Sequence, residues 1–337
     1  MRLRIHLSVF MRDVIIIGAG PVGLACGVQA KRRDLDALLI EKGALCNSFI
    51  GYPTRMEFFS TPGPLEIGGH PFPTRDYKPR REEALDYYRR VATTEELALR
   101  LYEPMTDLQG RDGHFTVVTE DATYETRKVV VATGFYDVPN QMGVPGEDRD
   151  KVRHYFKEPF PYALTDVAIV GGANSAVKAA LNCYRHEANV TMLVREPELD
   201  DGVKYWLRPD VENRIEDGAI DAYFNTTVSA IEPDTLHLDT PEGPETIDND
   251  FVLAMTGYRP NYDFLERLGI AIRNDEARTP VHDEGGTFET NRDGLYLAGT
   301  ICGGCDTSRW FIENGRAHAE KITDHIATTI DAEPAVA

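Results

Sequence analysis

The sequence predicts an α/β fold in which two parallel-sheet domains share one chain, and three observations predict it. Asp13–Ile17 and Asp166–Val170 are short, unbroken, β-branched apolar runs, the character of strands buried on both faces of a parallel sheet. Each runs into a glycine-rich turn and a helical stretch: Gly18-Ala19-Gly20-Pro21-Val22-Gly23 in the first case, Gly171-Gly172-Ala173-Asn174-Ser175-Ala176 in the second. Each helix leads to another apolar strand, Ala37–Ile40 and Asn189–Val194, which completes a βαβ unit. Two such units describe two Rossmann-like, dinucleotide-binding domains.

The elements follow in order. Met1–Phe10 (MRLRIHLSVF) is too short and too broken for a signal sequence. Met11 opens MRDVIIIGAG, so residues 1–10 are read as an extension outside the fold. After the first unit, Phe115–Glu120 and Ala122–Thr126 suggest a β-ribbon, and Val129–Ala132 is a third apolar strand ending in Thr133-Gly134. Pro159-Phe160-Pro161 reads as a linker. The second unit has a helix to about Glu187, its own ribbon (Thr226–Ile231, Thr235–Asp239) and a closing strand, Phe251–Met255, ending in Thr256-Gly257. Leu295–Ala298 enters Gly299-Thr300, a last helix starts near Phe311, and Asp331–Ala337 reads as a disordered tail. The expected division is one domain over residues 11–163 and 263–337, with a second, residues 164–262, inserted in it.

Composition narrows the function classes. At 337 residues the chain is longer than most single-core domains. With 42% apolar and 27% charged residues it is an ordinary globular chain, and no apolar run approaches the ~20 residues of a membrane span. A net charge of −19 speaks against nucleic-acid binding. Five cysteines without a disulfide framework point to reduced thiols and a cytoplasmic protein.

In the first motif, Gly18 permits the tight turn, Gly20 lets backbone approach a pyrophosphate, and Gly23 lets helix pack on strand. The helix N-terminus, with Pro21 in its first turn, offers free N–H groups to phosphates. Glu41 ends the second strand, where an acid binds adenosine ribose hydroxyls; Lys42 and Asn47 follow it. In the second motif Ala173 replaces the middle glycine, while Gly171, Gly172, Asn174, Ser175 and Ala176 form the turn, with Asn174 and Ser175 expected to hydrogen-bond phosphates at the helix start. Its second strand ends in Arg195, a cation suited to a 2′-phosphate, which favours NADPH over NADH. Two dinucleotide sites imply FAD in one and NADPH in the other, with hydride passing to the flavin. Thr133 and Gly134 on the FAD side and Thr256 and Gly257 on the NADPH side are expected to shape the clefts. Glu289–Thr300 is similar to the C-terminal flavin motif of such flavoproteins, with Gly299 and Thr300 where Gly-Asp is usual.

The chain resembles the bacillithiol-disulfide reductase family, FAD-dependent relatives of the low-molecular-weight thioredoxin reductases, from about Arg12 to His325. The resemblance rests on Gly18–Gly23, Glu41-Lys42-Gly43, Tyr52-Pro53-Thr54, Phe58-Phe59-Ser60, Pro79-Arg80-Arg81, Tyr87-Tyr88-Arg89, His154-Tyr155-Phe156-Lys157-Glu158, Gly171–Ala176 and Phe311-Ile312-Glu313-Asn314-Gly315. It implies a thioredoxin-reductase-like fold and an NADPH-dependent reductase of a small-molecule disulfide, with a small redox protein as a further partner and a homodimeric assembly. The best-described members carry a cysteine directly after Gly-x-Gly-Pro. Here Val22 stands there, so that thiol role does not transfer.

Cys302-Gly303-Gly304-Cys305 is the candidate catalytic pair. A C-x-x-C can cycle through a disulfide, and a cysteine before a helix can have a lowered pKa. The alternative is that both are small residues fitting a crowded loop. Cys26, Cys46 and Cys183 read as buried core. A thioredoxin-reductase-like enzyme or a ferredoxin- or flavodoxin-NADP reductase with a non-thiol acceptor is the second reading, and a non-enzymatic flavin redox sensor the third.

Overall fold

The computed structural model describes residues 11–332. The expected N-terminal extension lies outside the described residues; of the tail expected to be disordered from Asp331, Asp331 and Ala332 are instead the last residues of the helix His318–Ala332, and the rest lies outside the described residues.

The chain divides into two compact units: residues up to Ile50 with Met56–Val138 and the chain from Tyr258 onward, and Gly51–Arg55 with Pro139–Gly257. The first unit is built on a seven-stranded sheet. Arg12–Ile17 lies between Ala37–Ile40 and Thr123–Val131, parallel to both. Leu99–Arg100 extends the sheet beyond Ala37–Ile40, and Leu295–Leu297 pairs in parallel with Thr123–Val131. Val14, Ile15, Ile16, Val129, Val130 and Val131 are fully buried, which is why they read as continuous apolar runs. The helix Pro21–Lys31 packs on this sheet, and Gly27 sits close against Leu39.

The ribbon is a three-stranded meander, Met105–Arg111, His114–Thr119 and Thr123–Val131. Its first strand has no sequence signature: MTDLQGR buries only Leu108 and shows no apolar run. The expected ribbon strand and the strand Val129–Ala132 are one continuous element, since the chain enters the parallel core without a turn. The expected last helix is divided into Ile312–Gly315 and His318–Ala332.

The second unit has a five-stranded, all-parallel sheet in the order Asp221–Tyr223, Asn189–Leu193, Asp166–Val170, Phe251–Ala254, Val152–Arg153. The helix Asn174–Tyr184 buries Ala176, Val177, Ala180, Leu181 and Cys183 under it. An antiparallel meander, Thr227–Ile231, Thr235–Thr240 and Gly243–Asp248, covers part of the sheet through Leu236 and Leu238.

The units change at 138/139 and 257/258, whereas the sequence reading places the junctions at 163/164 and 262/263. Val152–Arg153 adds an edge strand beside Val252–Leu253, and Phe156 and Tyr162 fill the core beneath. A two-residue strand leaves no periodic signal, so this segment reads as linker. Pro159-Phe160-Pro161, expected to be a linker, lies inside the second unit, where Pro159 caps the 3₁₀ turn Phe160–Tyr162.

Candidate functional site

In the first unit the turn after Arg12–Ile17 has the geometry of a phosphate cradle. Gly18 takes φ +106°, and a Cβ there would lie 2.6 Å from the Ala132 carbonyl oxygen. A Cβ at Gly23 would overlap the Gly18 carbonyl oxygen, so the helix reaches this turn only with glycine. Gly20 is the N-cap, Pro21 follows, and no side chain caps the helix. The first-turn N–H groups are therefore left for a ligand. Apart from its chain neighbours, no described residue comes within 4 Å of where a Gly20 Cβ would be, so the space beside that backbone is open. These features fit the pyrophosphate of FAD.

Glu41 is 8% exposed and accepts N–H groups from Ala19 (2.9 Å) and Gly43 (3.0 Å). It is thereby fixed beside the glycine turn, with lone pairs left for ribose hydroxyls. Burial pushes its pKa up, and the two N–H bonds and Lys42 oppose this. Lys42 itself pairs with Asp137 at 2.7 Å. Asn47 accepts the Ala44 N–H at 3.3 Å and packs against Gly43, which braces the loop after Glu41. Cys46, buried with φ +53°, donates its N–H to Ala19 O at 3.1 Å and closes the turn from the other side.

Three further segments meet this turn. Gly299 takes φ +84°, and a Cβ on it would lie 3.1 Å from Val22. A Cβ on Gly315 would sit 3.4 Å from Gly299 Cα, and one on Gly134 3.4 Å from Thr300 Oγ1. The fold thus gathers Val22, Gly134, Gly299, Thr300 and Gly315, which sequence alone could only name separately. Phe58 is buried and edge-packed on Phe49, while Phe59 is 40% exposed.

In the second unit Gly171 takes φ +128°, its missing Cβ facing the Met255 carbonyl at 2.6 Å. Ala173 is the N-cap with φ −95°, so alanine in place of the middle glycine is unstrained. Ser175 lies in an uncapped first turn and Ala176 is buried. This cradle suits the pyrophosphate of NADPH. Asn174, expected to hydrogen-bond a phosphate, is engaged at both ends: Nδ2 donates to Gly202 O (2.8 Å) and Oδ1 accepts the Lys204 N–H (3.0 Å). Its side chain therefore latches the loop after Asn189–Leu193 onto the turn. Thr256 is also engaged: its Oγ1 donates to Asn140 O at 2.6 Å, and Asn140 N–H donates to Gly257 O at 3.0 Å. Arg195 has 80% of its side chain exposed and contacts Glu196 at 3.1 Å.

The Cys302–Cys305 expectation is corrected in one respect. Cys302 is fully buried and burial pushes its thiol pKa well up, opposite to the lowering expected before a helix. The reason is local. Cys302 lies inside a 3₁₀ turn, Gly299–Gly303, and the next helix is the four-residue Ile312–Gly315. Cys305 is exposed, and its Sγ lies 3.2 Å from the Tyr262 hydroxyl. Both thiols are free. A buried, protonated thiol is a poor nucleophile. Cys302→Ala and Cys305→Ser are accordingly expected to retain disulfide turnover within about threefold. Anaerobic titration should stop at the two electrons of one flavin. A loss of a hundredfold or more in either variant, or uptake of two further electrons, would reinstate a redox pair.

A residue that sequence reasoning missed is His318, whose Nδ1 accepts the Gly299 N–H at 3.1 Å. It sits far from the glycine motifs in sequence, and a lone histidine in a helix carries no spacing signal.

Residues 15–299 match the pyridine nucleotide-disulphide oxidoreductase family model. The chain is 42% identical over 315 residues to bacilliredoxin reductase Bdr of Bacillus subtilis, covering 93% of this chain and 97% of that protein. Among solved structures it is similar to bacillithiol disulfide reductase Bdr (YpdA) of Bacillus cereus, at 40% identity and a TM-score of 0.92, covering 95% of this chain and all of that one. The Staphylococcus aureus protein of the same name follows at 39% and 0.91, covering 95% and 99%. The chain therefore belongs to the pyridine nucleotide-disulphide oxidoreductase family and is a flavoprotein disulfide reductase with FAD and NADPH as its cofactors.

Proposed function

We propose that the chain uses NADPH to reduce a low-molecular-weight thiol disulfide of the bacillithiol type, or the corresponding disulfide on a small redox protein. The observation that carries this is near-full-length similarity to a bacilliredoxin reductase, at 42% identity with no unmatched domain-sized segment. The net reaction is NADPH plus a proton plus disulfide, giving NADP⁺ and two thiols. FAD, when bound, supplies a two-electron relay between the nicotinamide and the disulfide. The residues Gly18, Gly20, Gly23 and Glu41 bind and orient it, Gly134, Gly299 and Thr300 bound its cleft, and Gly171, Gly172 and Ser175 hold the second dinucleotide. The same reading has a homodimer in the cytoplasm. Among the described residues no helix is long and apolar enough to cross a membrane.

The test is NADPH oxidation by the purified protein against bacillithiol disulfide, oxidised bacilliredoxin, oxidised thioredoxin and ferredoxin. Turnover confined to ferredoxin would replace this reading with a non-thiol acceptor, which Val22 and the buried Cys302 would then explain.

Arg195 carries the cofactor preference in this reading. The exposed guanidinium, paired through Nε with Glu196, presents its remaining N–H groups to a 2′-phosphate that only NADPH has. Arg195→Ala is expected to raise the NADPH KM about tenfold and leave the NADH KM unchanged. Equal changes for both cofactors would remove Arg195 from the site.

A further inference from the structure

We propose that His318 is the positioning residue for the flavin-binding turn, holding Gly299 and Thr300 in place through a neutral imidazole whose Nδ1 accepts the Gly299 N–H. The inference rests on the reading of Gly299 and Thr300 as FAD-binding residues, and adds how their geometry is held.

The last ladder bond of the strand Leu295–Leu297 runs from Ala298 N–H to Val131 O at 2.9 Å. Ala298 is extended (φ −133°, ψ 135°), so the next N–H, that of Gly299, points to the opposite side of the strand from Val131, and the chain turns there with φ +84°. His318 meets that N–H at 3.1 Å. A backbone N–H only donates, so Nδ1 must carry no proton, and the ring's proton is on Nε2. A charged imidazolium would present two donors and lose the contact. The ring is kept neutral by its burial: His318 is 2% exposed, and burial, with His282 and Lys321 nearby, lowers its pKa to about 3, while Nε2 is buried with no hydrogen-bond partner among the described residues.

The ring is fixed from several sides. Phe288 stacks on it at 3.9 Å between centroids and 21° between planes, and Trp310 meets it edge-on at 4.4 Å. Its backbone starts the helix His318–Ala332, anchored by the buried Ala319, Ile322 and Ile326. Cys302 Sγ lies 3.9 Å from the same Nδ1, a packing contact beside the lone pair that the Gly299 N–H already occupies. Gly299 in turn touches Val22 at the start of the first helix, so a shift at Gly299 reaches the pyrophosphate cradle through one contact.

The test compares three variants by FAD affinity of the apoprotein, by the visible flavin spectrum and by thermal unfolding. His318→Asn puts an acceptor oxygen near the place of Nδ1; His318→Phe keeps the ring stack and removes the acceptor; His318→Gln carries its acceptor too far out. His318→Asn is expected to bind FAD within about threefold of wild type, and His318→Phe and His318→Gln about tenfold more weakly with a shifted flavin spectrum. If His318→Phe does not fold, the Asn–Gln difference decides. Equal affinity in Asn and Gln variants overturns the proposal. Gly20→Ala serves as the separate control for the site itself. If Gly20→Ala weakens FAD binding and the His318 variants do not, the positioning role fails and the site stands. If Gly20→Ala leaves FAD binding unchanged, the reading of the site has failed, and the proposal with it.

Discussion

Glu41→Ala is expected to purify as folded protein depleted of FAD, with an affinity about a hundredfold below wild type. Two losses combine. The carboxylate is the only acid at the end of the second strand, and ribose hydroxyls would lose their charged acceptor. The Ala19 and Gly43 N–H groups, which it holds at 2.9 and 3.0 Å, would also lose their partner, and the glycine turn its brace. Glu41→Gln separates the two. Its amide oxygen can replace one of these acceptor oxygens, but its NH₂ faces an N–H donor at the other, so intermediate affinity is expected. The measurement is flavin bound per protein after purification, followed by titration of the apoprotein with FAD. Full flavin loading in Glu41→Ala would show the acid to be dispensable and move the ribose contact elsewhere.

The second large effect separates two glycines of one motif. Gly23→Ala drives a methyl group into the Gly18 carbonyl group, with the Ala132 Cβ beyond it and no flexible side chain to yield. It should cost about 3 kcal/mol or more of stability and abolish FAD binding together with the fold of the turn. The Gly20→Ala methyl group meets no described residue within 4 Å beyond its chain neighbours, so the apoprotein should unfold at the wild-type temperature. The methyl group then occupies the space where backbone approaches pyrophosphate, and FAD affinity should fall at least tenfold. Thermal unfolding of both apoproteins, with and without added FAD, checks both halves. Wild-type FAD affinity in Gly20→Ala would mean that the open space beside Gly20 is not the cradle.

Both βαβ units are legible in the sequence because parallel core strands must be apolar on both faces and the turns that follow demand glycine. Arg12–Ile17, Asp166–Val170, Gly18 and Gly171 announce themselves for those reasons. The third strands, with their Thr-Gly endings, are legible likewise. Strands without an apolar run are not. Met105–Arg111 and Val152–Arg153 hold their places by ladder hydrogen bonds that any sequence can make, and the second of these shifts the junction between the units.

The same division applies within the site. The fold class, the two glycine turns, Glu41 closing the second strand and the departure at Val22 are all written in the linear sequence, because each depends on residues close together along the chain. The state of the C-x-x-C and the partner of Gly299 are set by tertiary packing instead. A thiol's reactivity follows from burial and neighbouring charge, and Cys302 is enclosed by segments distant in sequence. His318 reaches Gly299 only because the C-terminal helix packs back beside the first one, where Arg33 pairs with Asp324 at 2.6 Å. Spacing reports what the backbone must do locally; what surrounds a side chain is set by how distant segments pack.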